Sequence, residues 1–192
     1  MKLCFATNNP GKLKEIQNIL GDRFTILSLK DIGCHEELPE EHETLEENSL
    51  QKADYVYNKY NVSCFADDTG LETECLNGAP GVYSARYAGP ECRPEDNIDL
   101  LLKNMEACSN RNARFRTSIT LILNGQVKQF EGIVEGRILE GRKGDKGFGY
   151  DPIFSPLNDE RSFAELTMEE KNKISHRGIA VRKLTEYLQS IQ

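Results

Sequence analysis

Two adjacent carboxylates, Asp67 and Asp68, are the residues of this chain best suited to chemistry. They follow a short apolar run at 62–66 and precede Thr69 and Gly70. Such a run predicts a buried strand, and open α/β sheets bind ligands at the carboxyl ends of strands. Neighbouring negative charges repel, so the two side chains either face opposite ways or share a cation. One of them could hold Mg²⁺ over a phosphate and activate water, but on this pair alone a solvated Asx-turn is favoured.

A polar loop joins the first predicted strand, at 2–6, to the first predicted helix and is suited to binding anions. The loop, at 7–12, reads TNNPGK. Free backbone amides and the helix dipole attract anions at a helix N-terminus, and Asn8, Asn9 and Lys12 add donors and charge. No Walker P-loop pattern occurs in the sequence. Many α/β proteins have a polar first turn that binds nothing, so this loop alone leaves ligand binding open.

Two segments of the second half of the chain gather aromatic and basic groups. The segment 147–152, GFGYDP, sets Phe148 between two glycines in a basic loop. An exposed ring there could stack on a purine, worth roughly 1–3 kcal/mol per base, but a ring folded into the core is equally compatible with the sequence. The segment 175–177, SHR, follows Lys171 and Lys173 and offers donors to a phosphate or a base carbonyl. Periodicity alone favours a solvated basic helix end.

The elements that must position these groups alternate between strands and helices. One helix is predicted from about residue 10 to a stop at Gly21, and another begins near Pro94. Two more are predicted after the capping boxes that begin at Thr44 and Thr167. Further strands are predicted at 24–29 and 71–76, with a hairpin of 113–123 and 127–138 around Asn124-Gly125. No repeat, low-complexity tract or linker interrupts the sequence, which predicts one mixed α/β domain over 1–192.

Composition describes an ordinary globular chain. It has 192 residues, 38% hydrophobic and 29% charged. No apolar stretch reaches the roughly 20 residues that span a bilayer, and the N-terminus turns polar too soon for a secretory signal, so no membrane association and a cytoplasmic location are expected. The formal net charge of -7 argues against nucleic-acid binding but allows a polyanionic small molecule beside local cations.

The six cysteines are widely spread, with no C-x-x-C pair. This spacing argues against structural zinc and against a disulfide framework. We therefore expect reduced thiols with no catalytic role.

Five motifs occur in order along the chain: ATNNPGKL at 6–13, ADDTGL at 66–71, GAPGVYSAR at 78–86, GFGYDP at 147–152 and SHR at 175–177. Together they resemble the Ham1 family of noncanonical purine nucleoside triphosphate pyrophosphatases, which includes inosine triphosphatase. The resemblance runs from near residue 3 to about 185. It implies a mixed-sheet α/β fold of the ITPase-like type with two lobes around a central cleft, a homodimer, and Mg²⁺-dependent hydrolysis of ITP, dITP and XTP to the monophosphate and pyrophosphate.

The resemblance also implies roles for individual residues. Asp68 is expected to be the general base and a metal ligand. In the acidic stretch 36–47 the family often has Glu-Thr-Gly, whereas this chain has Glu-Glu-His at 40–42. Glu40 is therefore expected to be the second metal ligand, with Glu41 as the alternative. The residues expected to bind substrate are Thr7, Asn8, Asn9, Pro10, Gly11 and Lys12 at the phosphates, Thr69, then Phe148, Gly149, Tyr150 and Asp151 around the base, and Lys171, His176 and Arg177.

The implied mechanism is an in-line attack of Mg²⁺-held water on the α-phosphorus, with Asp68 accepting the proton of the water. Donors aimed at the purine 6-position would accept a 6-oxo base and reject a 6-amino base by roughly 10⁴–10⁵. A purine-nucleotide-binding sensor without turnover would keep the same pocket. It is the alternative from a different functional class.

Overall fold

The computed structural model describes residues 2–20 and 24–191. The chain divides into two compact units. Unit 1 consists of Met1–Asp68, Thr117–Gly132 and Arg177–Gln192, and unit 2 of Thr69–Arg116 and Ile133–His176. The single domain predicted over 1–192 stays a prediction.

Strands and helices alternate along the described residues as the sequence predicts. The strands are β1 (Lys2–Phe5), β2 (Thr25–Leu27), β3 (Cys64–Thr73), β4 (Pro80–Gly81), β5 (Asn112–Leu123), β6 (Gln126–Ile138) and β7 (Phe154–Pro156). The helices are α1 (Pro10–Leu20), α2 (Leu45–Tyr60), α3 (Pro94–Asn104), α4 (Met168–Ile174) and α5 (His176–Ser190). The predicted stop of α1, Gly21, lies outside the described residues. β3, β5 and β6 contribute residues to both units.

Unit 1 is built on strands in the order β2-β1-β3-β5-β6. β1 pairs in parallel with β2 and with β3, where Cys4 lies opposite Cys64. Successive side chains of a strand point to opposite faces of the sheet. Phe5 and Phe65 accordingly pack with α1 and α5, with their ring centroids 4.7 Å apart, whereas Cys64 and Ala66 pack with α2. The sheet is therefore covered on both faces.

Unit 2 has antiparallel pairings at its ends. β4 pairs with β3, with Leu71 opposite Gly81, and β7 pairs with β6, with Arg137 opposite Ser155. A second core packs α3 against these strands, and its buried aromatic residues are Phe115, Tyr150, Phe154 and Phe163. Parallel and antiparallel pairings together confirm the predicted mixed α/β class.

The predicted turn after the two aspartates is wrong, because β3 runs without interruption from Cys64 to Thr73. The predicted strand 71–76 ends with it, and Glu74–Leu76 forms a 3-10 turn. Gly70 serves a different purpose from turning the chain. A Cβ on Gly70 would lie 2.7 Å from the carbonyl oxygen of Gly81, so the absence of a side chain lets β4 approach β3.

Local start and turn signals are confirmed. Thr44 caps α2 by accepting from the Glu47 N–H at 3.2 Å, and Thr167 begins a complete capping box at α4. Asn124 and Gly125 both have positive φ, of 51° and 78°, as a two-residue hairpin turn requires.

The structure places one pair of cysteines side by side. Cys75 and Cys108 lie within unit 2 with Cα atoms 6.1 Å apart, a separation that a bridge allows, and the expected reduced state of this pair stays a prediction. Their 33-residue separation in the sequence gave no recognisable spacing. Cys4, Cys34 and Cys64 are buried free thiols and Cys92 is exposed.

Among the described helices, none is both long enough and apolar enough to cross a membrane.

Candidate active site

Asp67 and Asp68 lie on opposite faces of β3 because the side chains of a strand alternate. Asp67 is 1% exposed and Asp68 6%, so the solvated Asx-turn is wrong. Asp67 continues the face of Phe65 and points toward α1 and α5, where its Oδ1 lies 3.1 Å from Lys12 Nζ. Asp68 continues the face of Ala66 and points toward α2.

Two cations surround Asp67. Its Oδ2 accepts from Nε and Nη2 of Arg177, each at 3.2 Å, and Arg177 also pairs with buried Glu15 of α1. Burial by itself would raise the pKa of Asp67, but the charges of Lys12 and Arg177 outweigh it and hold that pKa well below its usual range. Asp67 is therefore a fixed counter-ion and a poor proton acceptor.

The surroundings of Asp68 make it the more basic of the two carboxylates. Its Oδ2 accepts from Asn48 Nδ2 at 3.2 Å, and its Oδ1 lies 3.5 Å from Lys52 Nζ. Burial raises the pKa of Asp68 even though the charges of Lys52 and Lys12 lower it. A raised pKa favours the protonated form, so this carboxylate is suited to accept a proton.

Glu40 and Glu41, the two candidates for the second metal ligand, have different partners. Glu40 pairs with the ammonium group of Lys52, so it shares this cation with Asp68. Glu41 instead accepts from Gln51 Nε2 at 3.0 Å at the surface. The geometry supports Glu40 as the partner of Asp68.

The donor set around Lys52 fits a hard divalent cation. Two carboxylates already converge on one positive charge, and Mg²⁺ in proteins commonly takes one or two carboxylates with phosphates and waters. Over the described ranges, no group of three or more His, Cys, Asp or Glu side chains is arranged to hold a metal ion. A magnesium ion here would therefore need oxygen ligands from a bound phosphate or from water.

The first polar loop is pre-folded by Asn9, which caps α1. Asn9 Oδ1 accepts from the N–H groups of Gly11 at 2.9 Å and Lys12 at 3.2 Å. These are the amides that the sequence suggested would be free for an anion, so that part of the interpretation is corrected. Thr7 Oγ1 accepts from the Asn9 N–H at 3.2 Å, and Pro10 opens the helix. Asn8 is exposed.

The GFGYDP segment is held together by Asp151 in unit 2. Asp151 Oδ2 accepts from the Phe148 N–H at 2.8 Å and from Lys171 Nζ at 2.6 Å. The Lys171 ammonium lies 5.0 Å from the centroid of the Phe148 ring. Gly147 has φ +74°, and a Cβ there would lie 2.1 Å from Asp151 Oδ2. Phe148 is half-buried, so it is neither fully exposed nor part of the core.

The remaining predicted binding residues are mostly buried. Lys171, His176 and Arg177 are all buried, so the solvated basic helix end is wrong. His176 stacks on Phe115 with ring centroids 4.6 Å apart. Tyr150 donates its hydroxyl to the Ser84 carbonyl at 2.8 Å, which is a structural contact.

Thr69 and Gly149 are half-buried, and Gly149 has a positive φ of 60°. Their expected role in substrate binding stays a prediction.

Sequence reasoning missed three polar residues that organise the two aspartates: Glu15, Asn48 and Lys52. A signal existed for the two on α2. They fall on the stripe that begins at Leu45 and continues through Ala53 and Val56, and this stripe is buried. A polar residue on an otherwise apolar stripe indicates a buried partner. Glu15 gave no such signal.

Comparisons with known proteins agree with this fold. The solved structure of the Staphylococcus aureus Ham1 protein is 35% identical, with a TM-score of 0.90 and 100% of each chain covered. The dITP/XTP pyrophosphatase of Christiangramia forsetii is 56% identical over 188 residues, covering 98% of this chain and 99% of the relative. That of Flavobacterium johnsoniae is 54% identical, covering 98% of each.

The Ham1 family model matches residues 3–187. The chain therefore belongs to the Ham1 family.

Proposed function

We propose that this chain hydrolyses noncanonical purine nucleoside triphosphates, ITP, dITP and XTP, to the monophosphate and pyrophosphate. The observation that carries the proposal is Asp68, a buried carboxylate of raised pKa that shares the Lys52 ammonium with Glu40. The relatives named as dITP/XTP pyrophosphatases support the substrate class.

In this proposal Asp68 accepts the proton of the water that attacks the α-phosphorus. Lys12 and Lys52 supply positive charge for the phosphates, and Lys12 belongs to the loop that Asn9 shapes. Glu40 and Asp68 would hold Mg²⁺, which when bound neutralises the triphosphate and polarises its phosphoryl oxygens. Asp67 keeps Lys12 in place and takes no proton, because its pKa is held low.

We assign the purine to the residues around Asp151. The half-buried ring of Phe148 offers a face for stacking, and the ammonium group of Lys171 lies over this ring. Donors from Lys171 and His176 would bond a 6-oxo group, whereas a 6-amino group would offer them no acceptor. A site of this kind rejects the wrong base by roughly 10⁴–10⁵.

A nucleotide panel tests the reaction. With Mg²⁺ present, we expect pyrophosphate from ITP, dITP and XTP and far less from ATP or GTP. Orthophosphate with a diphosphate product would contradict cleavage at the α-phosphorus. Tight binding of ITP with no product would instead establish the sensor.

Asp68→Asn tests the general base. We expect turnover of ITP to fall by about 10²–10⁴, since the amide cannot accept the proton of the water. The matched control is Asp54→Asn, at an exposed position on α2, which should keep wild-type turnover. Wild-type activity in folded Asp68→Asn, checked by circular dichroism, would remove Asp68 from this role.

The homodimer that the resemblance implies and the cytoplasmic location expected from composition stay predictions.

A further inference from the structure

Asn48 lies on the buried face of α2 and contacts the proposed base. It is 1% exposed. Its Nδ2 donates to Asp68 Oδ2 at 3.2 Å and to the His42 carbonyl at 3.1 Å. Its Oδ1 accepts from the His42 N–H at 2.9 Å. Both hydrogens and the oxygen of the amide group therefore have partners.

These partners explain why the residue is an asparagine. The carboxylate of Asp68 and the carbonyl of His42 only accept, and the His42 N–H only donates. An amide offers two hydrogens and an acceptor, and turning it over would set its oxygen against both acceptors. Aspartate would bring a like charge to Asp68, and leucine would offer no hydrogen bond. Among side chains of this size, asparagine satisfies all three groups.

The contacts with His42 attach the loop that carries Glu40 to the same helix. The preceding residue, Glu41, donates its backbone N–H to Gln51 Oε1 at 3.0 Å, so two consecutive loop residues are bonded to α2. One turn after Asn48, Lys52 contacts both Glu40 and Asp68. Helix α2 thus holds both acids from one face, Lys52 by charge and Asn48 by directed hydrogen bonds.

We propose that Asn48 is a positioning residue that fixes the rotation of the Asp68 carboxylate and holds the Glu40 loop beside it, so that both acids present oxygens to one divalent cation. This inference rests on the proposed function, because Asn48 has this task only if Asp68 and Glu40 act there. A charge contact such as that of Lys52 is weakly directional, whereas the hydrogen bond of an amide orients the acceptor. Removing an outer partner of a metal ligand changes metal affinity or activity by about 10–100-fold.

The test compares the wild-type chain with Asn48→Leu, which keeps the branched shape and the number of non-hydrogen atoms of the side chain and removes all three hydrogen bonds. We expect kcat for ITP to fall about 10–100-fold, with KM within about threefold at saturating Mg²⁺. We also expect Mn²⁺ binding to weaken about tenfold, measured by electron paramagnetic resonance with a nonhydrolysable ITP analogue. The second readout does not depend on turnover.

Asn97 of α3 provides a matched control. It is also buried and clasps a loop in the same way, accepting from the Ala88 N–H at 2.7 Å and donating to the Ala85 carbonyl at 2.9 Å. We expect Asn97→Leu to lower the melting temperature while kcat and Mn²⁺ binding stay within about twofold of wild type. Equal changes of kcat and Mn²⁺ binding in the two variants would reduce Asn48 to a fold-supporting residue and overturn the proposal.

A second variant protects the test against misfolding. If Asn48→Leu does not fold, Asn48→Ala takes its place, because alanine favours a helix interior and adds no bulk. A wild-type chain that leaves ITP intact would contradict the proposed function and remove the basis of this inference. A wild-type chain that hydrolyses ITP, with unchanged kcat and Mn²⁺ binding in the Asn48 variant, would contradict the role of Asn48 alone.

Discussion

Asp67 and Asp68 are neighbours in β3, yet their pKa values are shifted in opposite directions. Lys12 and Arg177 neutralise Asp67 and keep it ionised. Asp68 has Lys52 and the donor of Asn48, yet its burial keeps its pKa above the usual value. The difference comes from which helices cover each face of β3, since the two residue types are identical. Only one of the two carboxylates is thus suited to acid–base chemistry.

Glu40 and Glu41 should differ in their effect on Mg²⁺ binding. Glu40→Gln should raise the Mg²⁺ concentration for half-maximal pyrophosphate release by about tenfold or more, because the shared carboxylate next to Asp68 is lost. Glu41→Gln is the control and should stay within about twofold, since its partner is Gln51 at the surface. A Mg²⁺ titration of both variants measures this. A larger effect in Glu41→Gln would transfer the role to Glu41.

The placement of the aspartates was partly accessible from sequence. The alternation of a strand puts Asp67 with Phe65 and Asp68 with Ala66, provided that the strand extends past 66. The partners were not accessible: Arg177 lies 110 residues from Asp67 in the sequence, and no local pattern indicates such a contact. The choice of a turn failed because Asp-Asp-Thr-Gly has turn propensity, which burial and pairing override.

Among the helices and strands, the sequence predicted correctly those features that depend only on nearby residues. The caps of α2 and α4 and the Asn124-Gly125 hairpin depend on residues within three or four positions, and all are confirmed. β3 was predicted too short because its second half depends on pairing with β4. That pairing brings Gly70 against Gly81.

This close approach predicts the effect of adding one methyl group. Gly70→Ala should lower the free energy of unfolding by about 1–3 kcal/mol, because its Cβ would meet the backbone of Gly81. Gly141→Ala is the control, since nothing lies within 4 Å of a Cβ built there, and it should change stability by less than about 0.5 kcal/mol. Urea unfolding of both variants measures the difference. Equal stabilities would mean that β4 can move away without cost.

At the scale of the whole molecule, the acidic composition conceals local positive charge. The formal net charge is -7, yet Lys52, Lys171 and Arg177 are buried against carboxylates. Composition could not show where cations gather, because burial and pairing arise only in the fold. The local balance of charge, and not the total, decides what a site can bind.

Buried thiols predict how stability depends on alkaline pH. Burial raises the pKa values of Cys4 and Cys64 from 9.0 to about 12. Between these values the native state binds more protons than the unfolded state. The contribution of each thiol is therefore fully present below about pH 9 and is lost as pH rises toward 12, with a slope of up to about 1.4 kcal/mol per pH unit.

Cys64→Ala tests this dependence. The variant should lose stability less steeply than wild type between about pH 9 and 11, as measured by urea unfolding at each pH. Cys92→Ala is the matched control, because Cys92 is exposed, and its slope should equal that of wild type. A Cys64→Ala slope as steep as wild type would show that the thiolate forms as readily in the fold as in the unfolded chain.

The pairing of Cys4 with Cys64 also fixes which of the two aspartates faces α2. Insertion or deletion of a single residue between Cys64 and Asp67 would move every later side chain of β3 to the opposite face of the sheet. The side chain of Asp67 would then face α2, which carries Lys52, and that of Asp68 would face α5, which carries Arg177. Such a shift would exchange the positions of the counter-ion and the proposed base without changing either residue type.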